Sequence, residues 1–191
     1  VTSSGNSILV GDPRASPIYT FQGASYLFEF NGRFWEITQE LQHSDYSSYH
    51  YFGISVDSLG EDRTAIGRQG AVYIFTKGSG DIWTEEQKLL PSISAAYFGN
   101  ALASVGTSRV VVGDYQTNYY YGDYNSYYTG ASMIFVYDND TMVWTEEAVL
   151  YANDSESYHY TSPYFGYSVA AVSSDIVIVG APLEDYAEYG E

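Results

Sequence analysis

Four short phrases return along this chain in the same order, and that order constrains the fold more than any single residue does. An aromatic-glycine phrase appears as Tyr51-Phe52-Gly53-Ile54-Ser55-Val56, Tyr97-Phe98-Gly99-Asn100-Ala101-Leu102 and Tyr164-Phe165-Gly166-Tyr167-Ser168-Val169. A branched run closed by glycine appears as Ile8-Leu9-Val10-Gly11-Asp12-Pro13, Val110-Val111-Val112-Gly113-Asp114 and Val177-Ile178-Val179-Gly180-Ala181-Pro182. The third is Gly23-Ala24-Ser25-Tyr26-Leu27-Phe28, Gly70-Ala71-Val72-Tyr73-Ile74-Phe75 and Gly130-Ala131-Ser132-Met133-Ile134-Phe135. The fourth starts at a tryptophan and ends at a leucine: Trp35 to Leu41, Trp83 to Leu89, Trp144 to Leu150. All three tryptophans of the chain stand at this one position of the repeat.

Each phrase is a β-branched or aromatic run of strand length, bounded by Gly, Ser, Asn and Asp turn residues. Only Thr84–Leu90 offers a helical alternative, and its repeat partners read as strand. Four short strands in roughly 45–65 residues is the make-up of a propeller blade. The spacing therefore predicts an all-β chain of four-stranded antiparallel blades, about three in number. It forms one segment over 1–191, with repeats at roughly 1–50, 51–96, 97–163 and a partial one at 164–191. Phe-Gly allows a tight turn beside a packed ring, and a proline after the second strand ends it, having no N–H for the ladder.

The run of Phe-Gly, then Val-Gly-Ala-Pro, then Gly-Ala-Val-Tyr-Ile-Phe, then Trp-Thr-Glu-Glu-Gln-Lys-Leu resembles the FG-GAP repeat. That family includes the seven-bladed head of integrin α subunits and many secreted microbial and algal proteins. The resemblance implies an extracellular or cell-surface module used for adhesion or assembly. Three departures accompany it. About three blades cannot close a ring, which takes at least about four. Either further blades or other chains complete it, or the blades stack openly; copies joined by heterologous contacts would build a filament or sheath. The middle repeat is short: Phe52 to Gly70 spans 18 positions where Phe98 to Gly130 spans 32. The expectation there is a second strand and its turn lost before Gly60, with a break between Ser58 and Gly60, or a three-stranded blade. Finally, the calcium loop of integrin type, which wraps a hard cation in carboxylates, is absent: Val105-Gly106-Thr107-Ser108-Arg109 and Val172-Ser173-Ser174-Asp175 supply too few. No cofactor is expected, and calcium does not carry over from the family.

Composition narrows the partners. Lys+Arg number 7 against 24 Asp+Glu, a formal net charge of −17, which repels phosphate backbones and anionic lipid. Nucleic acid and membrane surfaces are thereby disfavoured; basic proteins, copies of the chain itself, cations and neutral glycans remain. There are no cysteines, hence no disulfides and no thiolate metal sites. No run is long enough for a membrane span, and the opening at Val1 without a leader has the look of a processed or partial chain.

The candidate contact site is a tyrosine-rich loop carrying Tyr115, Tyr119, Tyr120, Tyr121, Tyr124, Tyr127 and Tyr128, seven tyrosines in fourteen residues. Interleaved with Asn, Asp, Gly and Ser, they resemble a paratope, in which tyrosine supplies wide, rigid contact area. Such a loop fits a protein partner or stacks on sugar rings, so a carbohydrate-binding module is the alternative reading; packing on its own blade is the bland one. Asp114, Asn118 and Asp123 are weak candidates for a cation. The sequons Asn139-Asp140-Thr141 and Asn153-Asp154-Ser155 mark Asn139 and Asn153 as glycan acceptors in a secreted chain. Ser48-Tyr49-His50-Tyr51 recurs as Ser157-Tyr158-His159-Tyr160, and repetition at equivalent places favours a ring packed between blades over catalysis. Asp45 and Asp154 read as turn caps. No nucleophile stands beside a base among His43, His50 and His159, and Glu85-Glu86 and Glu146-Glu147, being adjacent on strands, point to opposite faces as solvated charge. The expectation is a binding protein and not an enzyme.

Overall fold

The computed structural model describes residues 1–45, 48–119, 127–152 and 164–183. The recurring phrases become strands. The first sheet is β1 (Thr2–Ser4), β2 (Ser7–Asp12), β3 (Ala24–Phe30) and β4 (Trp35–Leu41). The second is β5 (Ser55–Ser58), β6 (Arg63–Arg68), β7 (Ala71–Lys77) and β8 (Trp83–Leu89). The third contains β9 (Ala101–Val105), β10 (Arg109–Asp114), β13 (Ala131–Asp138) and β14 (Val143–Leu150); a small hairpin, β11 (Asn118–Tyr119) with β12 (Tyr127–Tyr128), projects between β10 and β13. A last sheet pairs β15 (Ser168–Ser173) with β16 (Ile176–Gly180). Among the described residues every pairing within the sheets is antiparallel, and each joins strands consecutive in sequence except β10 with β13, which the β11–β12 hairpin separates.

The first strands of successive sheets touch one another, β1 to β5, β5 to β9 and β9 to β15, and so do the last strands, β4 to β8 and β8 to β14. The sheets therefore fan radially about an axis lined by the first strands. Among the described residues this is a partial β-propeller of three four-stranded blades with two strands of a fourth, the architecture that the repeats predict. The apolar core lies between blades. Leu9, Leu27 and Leu41 of the first meet Ile66, Tyr73, Phe75 and Trp83 of the second. Leu59, Ile74 and Leu89 of the second meet Val110, Phe135 and Trp144 of the third. Among the described residues no helix is long and apolar enough to cross a membrane.

The middle blade corrects the expectation of a lost strand. It has four strands, and its second is Arg63–Arg68. The chain passes from Ser58 to Arg63 through a closed hairpin in which the Leu59 N–H donates to the Arg63 carbonyl at 2.8 Å. Thr64-Ala65-Ile66-Gly67 occupies the place of Val110-Val111-Val112-Gly113, and the shortening falls in the next loop, from Arg68 to Ala71. Neighbouring strands order a run whose own β propensity is modest.

Two devices join each blade to the next. The first is close backbone approach. The glycine ending each second strand faces the Phe-Gly glycine of the following blade: a Cβ on Gly11, Gly67 or Gly113 would lie 2.0, 2.1 or 2.0 Å from the carbonyl oxygen of Gly53, Gly99 or Gly166. The second is a polar clamp on the outer strand. The Gln39 side chain donates to the Trp83 carbonyl at 2.7 Å and accepts from its N–H at 2.9 Å, and Gln87 does the same to Trp144, both at 2.8 Å. The Ser44 N–H and hydroxyl donate to Glu85 at 2.8 and 2.9 Å; Ser92 bonds Glu146 in the same way, its N–H at 2.9 Å.

A β-bulge explains how one strand serves both neighbours. The register between third and fourth strands shifts by one at Leu27/Phe28, Ile74/Phe75 and Ile134/Phe135. Strand alternation would otherwise send Trp83, Glu85, Gln87 and Leu89 to one face. With Glu86 as the extra residue, Trp83 and Glu85 face the preceding blade while Gln87 and Leu89 face the following one. Glu86 itself pairs with Arg63 at 2.7 Å, and Glu147 with Arg109 at 2.9 Å. These carboxylates do point apart as expected, but they serve as clamps and ion pairs and not as free solvated charge.

Candidate interaction surface

In an antiparallel blade the loop between second and third strands and the linker to the next blade share one rim. Backbone bonds tie the two together here: Tyr49, Tyr51 and Phe52 donate to the carbonyls of Thr20, Phe21 and Gln22 at 2.9, 3.1 and 3.0 Å, and Phe165 donates to Thr129 at 3.1 Å. This rim carries two aromatic clusters. At the first junction the Phe21 ring meets Tyr49 edge-on at 5.8 Å and stacks on Tyr51 at 6.0 Å. At the third junction Tyr115 is surrounded by Tyr97, Tyr164 and Tyr167 at 5.0, 5.7 and 5.5 Å. Phe21, Tyr49, Tyr51 and Tyr164 hold left-handed backbone, with φ of 50°, 62°, 55° and 57°. For residues with a bulky Cβ that conformation costs about 1–2 kcal/mol each and persists only where the surroundings hold it.

Of the seven tyrosines expected to form the site, Tyr115 lies in this second cluster. Strand pairing sets Tyr119 opposite Tyr127 and Asn118 opposite Tyr128 at the base of the hairpin. Tyr120, Tyr121, Asp123 and Tyr124 lie outside the described residues, as do Asn153, Asp154 and His159. Tyr97, Tyr164 and Tyr167 were missed by the sequence reading, although the tyrosine preceding each Phe-Gly was a visible repeat signal. Asp114 is buried, and burial raises its carboxyl pKa; its oxygens accept from the N–H groups of Tyr97 and Gln116 at 2.9 and 2.8 Å. It thereby pins Tyr115's turn to the linker. Among the described residues no group of three His, Asp or Glu is placed to hold a metal ion. Asn139 is exposed on the hairpin between β13 and β14, on the opposite rim, where Asp138 caps the turn by accepting from Asp140 N–H at 2.8 Å.

Beneath the first cluster lies a polar network. Tyr73 accepts from Arg68 at 2.9 Å and donates to Asp45 at 3.0 Å, and Asp45 also bonds Lys88. The Lys88 bond is the main cause that holds the Asp45 carboxyl below its usual range. Asp45 thus joins side chains across the junction, while the turn it was expected to cap runs into residues 46–47, outside the described residues. His43, fully buried, packs on Phe52, Tyr73 and His50 at 5.1, 5.2 and 5.8 Å, with neither ring nitrogen hydrogen-bonded. Burial, with Arg68 as the next cause, lowers its pKa to about 4 from 6.5. The unfolded chain therefore binds a proton that the fold resists, so stability rises with pH across this interval. Acidification from about pH 6.5 to about 4 is expected to remove up to about 3 kcal/mol through this one group. Denaturant midpoints at pH 7 and 4.5 check it: the drop should be smaller in His43→Phe, and equal drops would remove His43 as the cause.

No curated protein matches the chain. The matching family model is that of the FG-GAP repeat, a type of module associated with protein–protein interaction or adhesion. It covers residues 144–191, from the Trp144 strand across the third junction and through the last sheet. The resemblance read from the recurring phrases is thus shown over residues 144–191, where the chain carries an FG-GAP repeat.

Proposed function

We propose that this chain is an extracellular or cell-surface interaction module that recognises a protein partner through its aromatic rim, with no catalytic role. The observation that carries the reading is the gathering of Phe21, Tyr49 and Tyr51, and of Tyr97, Tyr115, Tyr164 and Tyr167, on one rim, several of them in costly left-handed backbone. Backbone strain held at exposed Phe21 and Tyr49 and at half-buried Tyr51 and Tyr164 supports a reading in which geometry serves contact before folding. Tyrosine suits contact because it covers wide area with little rotamer freedom to lose. The net charge of −17 favours a basic or neutral partner and speeds encounter with a basic one. The exposed acceptor Asn139 stands on the opposite rim, where a glycan would leave the aromatic rim open.

A photo-crosslinking residue at Tyr167, compared with one at Asn139, tests this on the surface of the source cells. Protein adducts are expected from position 167 alone, reduced about thirtyfold by Tyr97→Ala combined with Tyr115→Ala, as loss of central aromatic contacts costs roughly 2 kcal/mol. Equal labelling from both rims would sink the reading. Binding to a glycan array without protein adducts would replace it with the carbohydrate-binding alternative, for which the half-exposed rings of Tyr49 and Tyr167 offer stacking faces.

A further inference from the structure

Tyrosine rings touch one another at the third junction, and among the described residues they do so nowhere else. At the first junction the central ring of the rim cluster is Phe21, which has no hydroxyl. Tyr97 and Tyr115, both half-buried, are the closest pair. Their centroids lie 5.0 Å apart, near the short end of the range of about 4.5–7 Å that aromatic pairs adopt. Their planes cross at 53°, whereas Tyr115 and Tyr164 stand almost perpendicular at 86°. Two phenols bonded directly through ring carbons are also twisted, because their neighbouring groups clash when coplanar. The pair is therefore poised close to the shape of a joined one.

A single buried carboxylate holds both rings in place. One oxygen of Asp114 accepts from the Tyr97 N–H at 2.9 Å and the other from the Gln116 N–H at 2.8 Å, so the backbone beneath each ring is fixed to the same group. The Tyr97 carbonyl accepts in turn from the Asn100 N–H at 3.1 Å. The approach still needed for a bond is of the order of the thermal displacement of an ordered side chain, about 0.5–1 Å. Burial raises the Tyr115 pKa, so this phenol is neutral and its proton must leave with any electron it loses. The chain has no cysteine, so no disulfide can staple this place.

We propose that Tyr97 and Tyr115 form an oxidative modification site, joined into a dityrosine staple by hydrogen peroxide acting through a haem peroxidase. Each phenol gives up one electron and its hydroxyl proton, leaving a phenoxyl radical whose unpaired electron is shared by the ring carbons beside the oxygen. The two radicals combine at those carbons and form one carbon–carbon bond. Each bonded carbon then releases its hydrogen as a proton while the phenol oxygen takes one up, so both rings regain aromaticity and both hydroxyls. The two electrons and two protons removed convert one hydrogen peroxide to two waters, and the chain is lighter by two hydrogens. The new bond closes the segment between positions 97 and 115 and restricts the unfolded chain as any cross-link does. Coupling needs no partner, so it stands apart from the recognition reading and either can fail alone.

The test treats the purified chain with a haem peroxidase and hydrogen peroxide at about 10 µM, far below the millimolar effective concentration of groups tethered in one molecule. Dityrosine fluorescence should appear in chain that still runs as a monomer, and tandem mass spectrometry should find positions 97 and 115 joined with two hydrogens lost. Tyr97→Phe and Tyr115→Phe, folded by circular dichroism because each lacks only a hydroxyl, should abolish that join, and Tyr51→Phe should keep it. Oxidation in denaturant, which parts the rings, should sharply lower its share of the dityrosine formed. The joined chain should also unfold at a higher guanidinium concentration than Tyr97→Phe treated alike. Absence of the join overturns the proposal, as does dityrosine found only between molecules or from Tyr115 to Tyr164 or Tyr167. Equal yield in denaturant, or a joined chain no harder to unfold, overturns it as well.

Discussion

Gly67→Ala is expected to destabilise the fold by about 3 kcal/mol or more, at or above the top of the usual overpacking range. The added methyl would lie 2.1 Å from the Gly99 carbonyl oxygen and 2.2 Å from the Ser55 hydroxyl, which itself donates to that carbonyl at 2.6 Å. Ser55 can rotate away at the cost of its bond, but the carbonyl belongs to the backbone of the next blade and has no rotamer to change. Relief requires the second and third blades to separate, and that opens the cluster holding Leu59, Ala65, Phe98 and Val110. Gly67 is not in left-handed backbone, so the substitution tests contact without conformational strain. Gly106→Ala is the complementary control: with φ of 64° and open space around it, it should cost only about 1 kcal/mol, from backbone conformation. Guanidinium denaturation of both variants gives the comparison. A Gly67→Ala loss no greater than that of Gly106→Ala would mean that the blades are not locked by backbone contact.

The same contacts show what could be read before any coordinates. Phe-Gly and the glycine closing each second strand recur because they meet across every junction, so the fold and its repeating unit were legible as a period. The strand Arg63–Arg68 was not, because its residues lack a branched run and two arginines bracket them; its order comes from β5 and β7 on either side. The roles of Glu85 and Gln87 were hidden for another reason. Nothing in Trp-Thr-Glu-Glu-Gln announces the extra residue that turns one to each neighbour. His43 carried no periodic signal, since proline and alanine stand at the equivalent places, Pro91 and Ala152. Of the tyrosines in the candidate site, Tyr115 was found by composition, whereas its partners Tyr97, Tyr164 and Tyr167 come from other segments and meet it only through the junction.

Truncating Phe98 should be the costliest single change in the apolar core, with Phe98→Ala losing about 4 kcal/mol. The ring is fully buried at the middle junction, 5.7 Å from Phe135, and its own carbonyl accepts from the Gly70 N–H of the preceding blade at 2.8 Å. Large-to-small losses are greatest where the surroundings cannot collapse, and here the walls are two sheets whose spacing the Gly67–Gly99 approach sets. Phe98→Leu, which refills most of the space, should lose less than half as much. The neighbouring residue separates stability from recognition: Tyr97 projects to the rim, so Tyr97→Ala should cost no more than about 1 kcal/mol of stability while weakening partner capture. Urea or guanidinium melts followed by tryptophan fluorescence report on these junctions directly, because Trp83 and Trp144 are buried in them. A Phe98→Ala loss below about 1.5 kcal/mol would show that the junction repacks freely, contrary to the rigidity that glycine-mediated contact imposes.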